Sequence, residues 1–305
     1  MKIVFIGGVK FSYEILKTIL ENGIKIEILF TYNESKKEIY SDFAEFEKLS
    51  KKYRIKHIKV NNINDEKNVE FMKECKPDLL LVMGWSQILK NKILKIPRLG
   101  VIGSHPTELP RFRGRAPIPW SIIKELKESA LTFFYMEEGI DDGDILDQQK
   151  FKITNKDNAS SLYDKITKIG KKMILKNISL LEKGKINRKK QDSSKFEEYW
   201  EKRTPDDGKI DWGGNAKDID KLIRATGHPY PGAFTFFNNS KIIIWKSSYN
   251  NKKKSEVGKI LDIKNDFVEV GCKEGTIKLE KISVAGKELN INKFFKKEHV
   301  GKIMN

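Results

Sequence analysis

The chain has 305 residues, of which 39% are hydrophobic and 33% charged; that is enough apolar material for a core, and the length exceeds the roughly 250 residues at which single cores stop growing, so two domains are predicted. No apolar run approaches the ~20 residues that a membrane-spanning helix needs, and Cys75 and Cys272 stand far apart without metal-ligand spacing, which argues against a zinc site and suits a reducing cytoplasm. The formal charge of +17 admits phosphate-bearing partners, but lysines interleave with acids in almost every segment, the pattern of a solvated exterior that attracts anionic small substrates more than of a clustered nucleic-acid surface.

Met1-Lys2 leads directly into Ile3-Val4-Phe5-Ile6, which reads as a strand over 2–7 and not as a signal peptide. A helix follows over 11–22, with Ile15, Ile19 and Leu20 at helical spacing and Gly23 as its stop. The spacing then predicts a strand over 25–31, a helix over 41–53 with Ser41 and Asp42 as caps, a strand over 55–60, a helix over 65–75 and a strand over 79–83. This alternation builds a parallel sheet with helices on both faces, and ligands on such sheets bind beyond the carboxyl ends of the strands. Gly7-Gly8 lacks the remaining glycines of a dinucleotide fingerprint, and no acid ends the second strand, so a Rossmann cofactor site is disfavoured.

Gly84-Trp85-Ser86-Gln87 puts a glycine and an aromatic at a strand end, where backbone can approach a flat ligand; Trp85 as a lid on the core is the alternative. After a helix over 91–96, the apolar run Leu99-Gly100-Val101-Ile102-Gly103 delivers His105 into a loop stiffened by Pro106, Pro110 and Pro117. A core histidine bonded to a carbonyl is the competing account of His105. A helix over 120–127 and a strand over 130–136 lead to Glu137-Glu138-Gly139-Ile140-Asp141-Asp142-Gly143-Asp144, which lacks the ligand spacing of an EF-hand. Asp141, arriving at the end of a strand in the same sheet as His105, is placed to hold the imidazole in one tautomer and to stabilise its protonated form.

A helix over 159–181 closes a first domain at 1–186, and polar, charged residues 187–202 read as a linker. Residues 203–305 then read as a small β-rich domain: a helix over 216–225 and short alternating segments at 235–237, 241–247, 258–263, 267–271 and 276–283, separated by Asn, Gly and Lys turns.

Together these segments resemble the 10-formyltetrahydrofolate-dependent formyltransferases, over most of the chain. The catalytic loop of that family reads Asn-x-His, a small residue, Ser, Leu-Leu-Pro and x-x-Arg-Gly-x-Ala-Pro. Here it stands as Gly103-Ser104-His105-Pro106-Thr107-Glu108-Leu109-Pro110, followed by residues 111–117, and the family's Asp-x-Gly-Asp turn is matched by Asp141-Asp142-Gly143-Asp144. The resemblance implies an α/β architecture, a Rossmann-like parallel-sheet formyltransferase domain followed by an OB-like C-terminal domain. It also implies direct transfer of a formyl group to an amine, with His105 relaying a proton and Asp141 orienting the ring. The family's asparagine falls on Gly103, which has no side chain to donate; Ser104, Ser86 and backbone N–H groups are the candidate replacements, and one lost oxyanion donor costs on the order of 100-fold to 1000-fold in rate.

By the same resemblance the folate lies along Met83, Gly84 and Trp85 and along Glu137, Gly139 and Ile140, with Ile88 and Leu109 as apolar lining, and no metal takes part. Methionyl-tRNA formyltransferases look similar from end to end, but they carry Arg-Gly-Ala-Ala-Pro and a basic insertion after the second strand, where this chain has the mixed-sign Asn33-Glu34-Ser35-Lys36-Lys37-Glu38. Arg113-Gly114-Arg115-Ala116-Pro117 with Trp120, and Arg203-Thr204-Pro205-Asp206-Asp207, look like the sugar-nucleotide N-formyltransferases. On that likeness Arg113, Arg115, Trp120 and Arg203 bind a nucleotide-linked amino sugar, the arginine forks matching a pyrophosphate. A charged tRNA is the second acceptor, and a catalytically degenerate binding protein the third reading.

Overall fold

A computed structural model describes residues 1–252 and 255–305. The chain divides into two units, one formed by Met1–Pro117, Glu128–Lys152 and Tyr163–Glu201, the other by Ile118–Lys127, Ile153–Leu162 and Lys202–Asn305. In chain order to residue 201 the elements are β1 (Ile3–Ile6), α1 (Lys10–Glu21), β2 (Ile28–Tyr32), α2 (Glu47–Lys52), β3 (Lys56–Val60), α3 (Glu66–Cys75), β4 (Leu79–Val82), α4 (Asn91–Leu94), β5 (Val101–His105), β6 (Phe112–Gly114), α5 (Pro117–Ile123), β7 (Glu128–Tyr135), β8 (Ile145–Lys152), α6 (Ala159–Glu182) and β9 (Glu198–Trp200).

The first unit is organised by a seven-stranded sheet in the order β3-β2-β1-β4-β5-β7-β8. β1 and β4 are wholly apolar and wholly buried because each is hydrogen-bonded on both sides and covered on both faces. The run from β3 to β5 is parallel, but β7 pairs antiparallel with both β5 and β8, so the sheet is mixed and not purely parallel. β7 starts beside the carboxyl end of β5, with His105 opposite Thr132; a strand buried on both faces reads the same in either direction, so its composition cannot announce the reversal.

The helix expected over 41–53 is confined to Glu47–Lys52. Residues 41–46 are held instead to the start of α1: the Lys10 N–H donates to the Asp42 carbonyl at 2.8 Å, the Ala44 N–H to the Gly8 carbonyl at 3.1 Å, and Val9 bridges Phe43. Asp42 does not cap a helix; its Oδ2 accepts from the Tyr163 hydroxyl at 2.9 Å. Within the stretch read as a linker, β9 pairs in parallel with β6, Phe112 opposite Glu198 and Gly114 opposite Trp200.

In the second unit α7 (Ala216–Thr226) packs with an antiparallel sheet of β10 (Ala233–Phe237), β11 (Ser240–Asn250), β12 (Ile260–Ile263), β13 (Val268–Gly271), β14 (Thr276–Val284) and β15 (Lys287–Leu289), followed by α8 (Ile291–Phe294). Trp212, Ile219, Ile223, Ile242, Ile244, Val270, Leu279 and Phe295 share its core. The buried Trp212 indole N–H donates to Thr235 Oγ1 at 3.0 Å, so the ring is buried without an orphaned donor. Among the described residues no helix is long and apolar enough to cross a membrane.

Gly114 adopts φ +103°, and a Cβ built there would overlap the Trp200 carbonyl oxygen. Gly114→Ala is expected to break the last step of the β6–β9 pair and lower the unfolding free energy by about 1–3 kcal/mol, read as a lower urea midpoint at unchanged denaturant slope.

Candidate active site

β5 brings Gly103 and His105 to the carboxyl end of the sheet on one face of the strand, and Ser104 to the other. His105 is 5% exposed. Its Nε2–H donates to the Phe112 carbonyl oxygen at 3.2 Å, and Nδ1 lies 3.6 Å from Asp141 Oδ2. Both ring nitrogens therefore face oxygens that only accept, and a protonated ring is held from both sides. The Phe112 carbonyl is fixed in turn by the Thr107 hydroxyl, which donates to it at 2.5 Å, while the Thr107 carbonyl accepts from Thr132 Oγ1 at 2.7 Å. The core-histidine reading and the functional one meet here: the ring is carbonyl-bonded on one edge and offers a carboxylate contact on the other.

Asp141 stands at φ +52°, in the left-handed region. Its Oδ2 accepts the Gly114 N–H at 3.0 Å, so the acid from one loop is tied to the backbone of the other. Gly143 tolerates no side chain, because a Cβ would fall on the Tyr135 carbonyl oxygen; this explains the glycine of the Asp-Asp-Gly-Asp turn. The Asp141 side chain keeps 20% of its surface and His105 7%, so solvent reaches the pair mainly at the carboxylate.

The space beside Gly103 is taken by Met136: a Cβ at 103 would lie 2.8 Å from its Cγ and 3.0 Å from its Sδ. The two side-chain replacements expected for the missing amide donor do not converge on the ring. Ser104 points to the opposite face of β5, and the Ser86 hydroxyl lies between two phenols, 2.9 Å from the Tyr32 hydroxyl and 2.6 Å from that of Tyr40. Backbone N–H groups are what is left.

Met83 is fully buried, and Trp85 is the end ring of a three-membered stack. Its centroid is 3.8 Å from Tyr32, which is 4.4 Å from Tyr40, both pairs at 10° between planes. The indole N–H is buried with no partner among the described residues. Leu109 is interior, packed with Phe134 and Ile145, while Ile88 and Ile140 are 72% and 54% exposed, so the two apolar residues expected to line one surface are in unlike places. Glu137 and Gly139 are exposed, and Gly84 is half-buried at φ +55° against Val9 and Ser12.

Arg113 does not present a free fork. Its Nη2 donates to Gln191 Oε1 at 2.8 Å and its guanidinium lies 5.5 Å from the Phe196 ring centroid. Arg115 is exposed, and its backbone N–H donates to the Trp200 carbonyl at 2.8 Å. In the second unit the Arg203 guanidinium lies 4.9 Å from the Trp120 ring centroid and donates to the Asp207 carbonyl at 2.8 Å, so these two expected residues do meet. Sequence reading passed over Thr107, Tyr32, Tyr40 and Gln191. Tyr32 ends a strand and Tyr40 follows a charged run, and neither sits in a pattern that marks it.

No group of three or more His, Cys, Asp or Glu side chains among the described residues is arranged to hold a metal ion. A cleft of about 680 Å³ flanks α1, lined by Lys10, Tyr13, Phe43, Tyr163 and Lys168 among others; it contains neither His105 nor Asp141.

Two family models match the chain: Formyl transferase over residues 1–178, and Formyl transferase, C-terminal domain, over residues 202–299. The chain is 34% identical over 291 residues to the bifunctional polymyxin resistance protein ArnA of Wigglesworthia glossinidia brevipalpis, a match covering 95% of this chain and 44% of that protein, so it spans less than half of that relative's length. It is 32% identical over 291 residues to methionyl-tRNA formyltransferase of Alkaliphilus oremlandii, covering 94% of this chain and 93% of that one. Among solved structures, an N-formyltransferase from Helicobacter canadensis, in complex with folinic acid and dTDP-3-aminofucose, matches with a TM-score of 0.68 at 20% identity over 92% of this chain and 99% of the other. Methionyl-tRNA formyltransferase from Clostridium thermocellum matches with a TM-score of 0.61 at 17% identity, over 95% and 99%. At such identities the structural likenesses show the fold.

Burial holds the Tyr32 phenol above its ordinary value, against the lowering effect of its bonds to Ser86. Below about pH 10 the folded and unfolded chains both keep this proton; at higher pH the unfolded chain loses it first, so stability falls as pH rises toward the folded value. Tyr32→Phe is expected to cost about 1 kcal/mol at neutral pH through its lost hydroxyl bonds, and to show a shallower alkaline loss of stability than the parent chain in urea titrations above about pH 10.

Proposed function

This chain belongs to the formyl transferase family, and from that premise we propose that it moves the formyl group of 10-formyltetrahydrofolate to the amine of a nucleotide-linked amino sugar. The observation that carries the chemistry is the His105 ring between the Phe112 carbonyl and the Asp141 carboxylate, at the carboxyl end of the sheet. Such a pair serves acyl transfer between nitrogens because one proton must leave the attacking amine and another must reach the departing nitrogen. Asp141, the more exposed member, is the group that accepts from the incoming ammonium; His105 carries a proton on a ring that both oxygens hold in place.

When bound, the folate supplies an activated formyl carbon. The residues at the end of β4 fit a flat, acceptor-rich heterocycle in one respect: the buried Trp85 indole N–H lacks an acceptor, and a pterin edge has several. With Ser104 and Ser86 directed elsewhere, and both ring nitrogens of His105 facing Phe112 and Asp141, the charge that develops on the formyl oxygen is left to backbone amides, so turnover is expected to be slow for the chemistry.

The sugar acceptor is favoured by charge. The segment after β2 is neutralised internally, Glu34 pairing with Lys59 at 2.7 Å and Lys37 with Glu45 at 3.1 Å, and offers no basic grip for an acceptor stem. The exposed Arg115 of the first unit supplies a guanidinium group for a pyrophosphate, and within the second unit the Arg203 guanidinium lies over Trp120. A charged initiator tRNA is the second reading, supported by the extent of the likeness to methionyl-tRNA formyltransferases and by the net charge of +17.

Release of tetrahydrofolate from 10-formyltetrahydrofolate, followed with a panel of nucleotide amino sugars and with methionyl-tRNA, tests the proposal. Turnover with an amino sugar is expected; turnover with the tRNA alone overturns the acceptor assignment, and none with any amine favours a degenerate binding protein. His105→Ala is expected to lower kcat by about 100-fold to 10,000-fold, and near-parental turnover in that variant would put the proton transfer elsewhere.

A further inference from the structure

Residues 188–200 are bonded to both loops that carry His105 and Asp141. Lys189 exchanges backbone bonds with Ile145, its N–H donating at 2.9 Å and its carbonyl accepting at 2.8 Å. At the other end the Glu197 N–H donates to the Arg111 carbonyl at 2.9 Å, and β9 runs beside β6. Between these anchors Gln191 turns inward and is 8% exposed. Its Nε2 donates to the Asp141 carbonyl and to the Gly143 carbonyl, each at 2.8 Å, and its Oε1 accepts from Arg113 Nη2 at 2.8 Å.

We infer that Gln191, oriented by Arg113, is a positioning residue that holds Asp141 against His105. The inference rests on reading His105 and Asp141 as the reacting pair. One amide group spans two carbonyls of the same turn, and the first of them belongs to Asp141 itself, the residue at φ +52°. The left-handed region is unfavourable for a residue with a Cβ, less so for an aspartate than for most, and bonds to the carbonyls of the turn offset that cost. If the turn relaxed, Oδ2 would move away from both Nδ1 of His105 and the Gly114 N–H, the two groups it now meets at 3.6 and 3.0 Å. Arg113 fixes which end of the Gln191 amide faces the turn: a guanidinium can only donate, so it takes Oε1 and directs Nε2 to the carbonyls. Arg113 is thereby a support of the acid loop.

The Gly114 amide reports the carboxylate position directly, and it does so without turnover. The full chain labelled with [15N]glycine is compared with Gln191→Ala, Gln191→Glu, Arg113→Ala, Arg113→Lys and Asp141→Ala. Gln191→Ala and the near-isosteric Gln191→Glu, which as a carboxylate cannot donate to the two carbonyls, are expected to move the Gly114 resonance and speed its exchange in the direction set by Asp141→Ala. In formyl transfer their kcat is expected to fall roughly 10-fold to 100-fold with KM for both substrates nearly unchanged. Arg113→Ala should behave like Gln191→Ala, and Arg113→Lys, which keeps a donor for Oε1, should recover most of the loss. A merely structural role predicts lower melting temperatures with the Gly114 amide and kcat at parental values in all four variants, and that result overturns the inference. If Asp141→Ala itself turns over normally, the assignment of the pair fails, while the Gly114 amide still decides whether Gln191 places the carboxylate.

Discussion

A buried imidazole keeps a defined position only if both of its nitrogens are met, and each unmet buried group costs roughly 1–3 kcal/mol. His105 is hydrogen-bonded on one edge, by Nε2 to the Phe112 carbonyl, and faces the Asp141 carboxylate at 3.6 Å on the other. Neither oxygen belongs to a strand of the main sheet, so each needs its own support. Thr107 holds the first, with its own carbonyl tied to β7 through Thr132; the Gly114 amide and Gln191 hold the second and its turn. The short β6–β9 pair joins the two supports, which is why a three-residue strand at the edge of the unit bears on the chemistry. Polar networks of this kind rigidify when fully bonded and lose that benefit when one member is removed.

The same arrangement shows what the site has given up. Met136 fills the space that a side chain at 103 would use, and the nearby hydroxyls are committed, Ser86 to a pair of tyrosines and Thr107 to the Phe112 carbonyl. The Tyr40-Tyr32-Trp85 stack joins the carboxyl ends of β2 and β4 into one rigid wall. A wall of stacked rings cannot open to take a heterocycle between its own members without losing contacts already made. Any flat ligand therefore meets the edge or the outer surface of this stack.

Charge is handled locally across the surface. Lysines pair with acids close by, as Lys59 does with Glu34 and Glu47, and such exposed pairs add little to stability. In a chain of formal charge +17, these pairs neutralise part of the segment after β2, while the Arg203 guanidinium lies on the Trp120 ring.

Sequence alone determined the α/β class, the β-rich second half and six of the seven strands of the sheet, because strands buried on both faces must be continuous apolar runs, as Leu79-Leu80-Leu81-Val82 is; β8 went unread because its Asp147-Gln148-Gln149-Lys150 is polar and partly exposed. That His105 and Asp141 come together was legible from the loops at strand ends and from a family likeness carried by contiguous motifs. Tertiary structure alone decided the antiparallel turn of β7 and β8, since burial pattern carries no direction, and the role of Gln191, whose polar, aperiodic surroundings read as linker. It also decided which hydroxyls are spent. Ser86 and Ser104 have the same chemistry in the sequence, but one is bound by Tyr32 and Tyr40 and the other is turned away by the two-residue period of β5. Composition names the groups a chain possesses; only the pairing of segments far apart along it determines which of those groups already have partners.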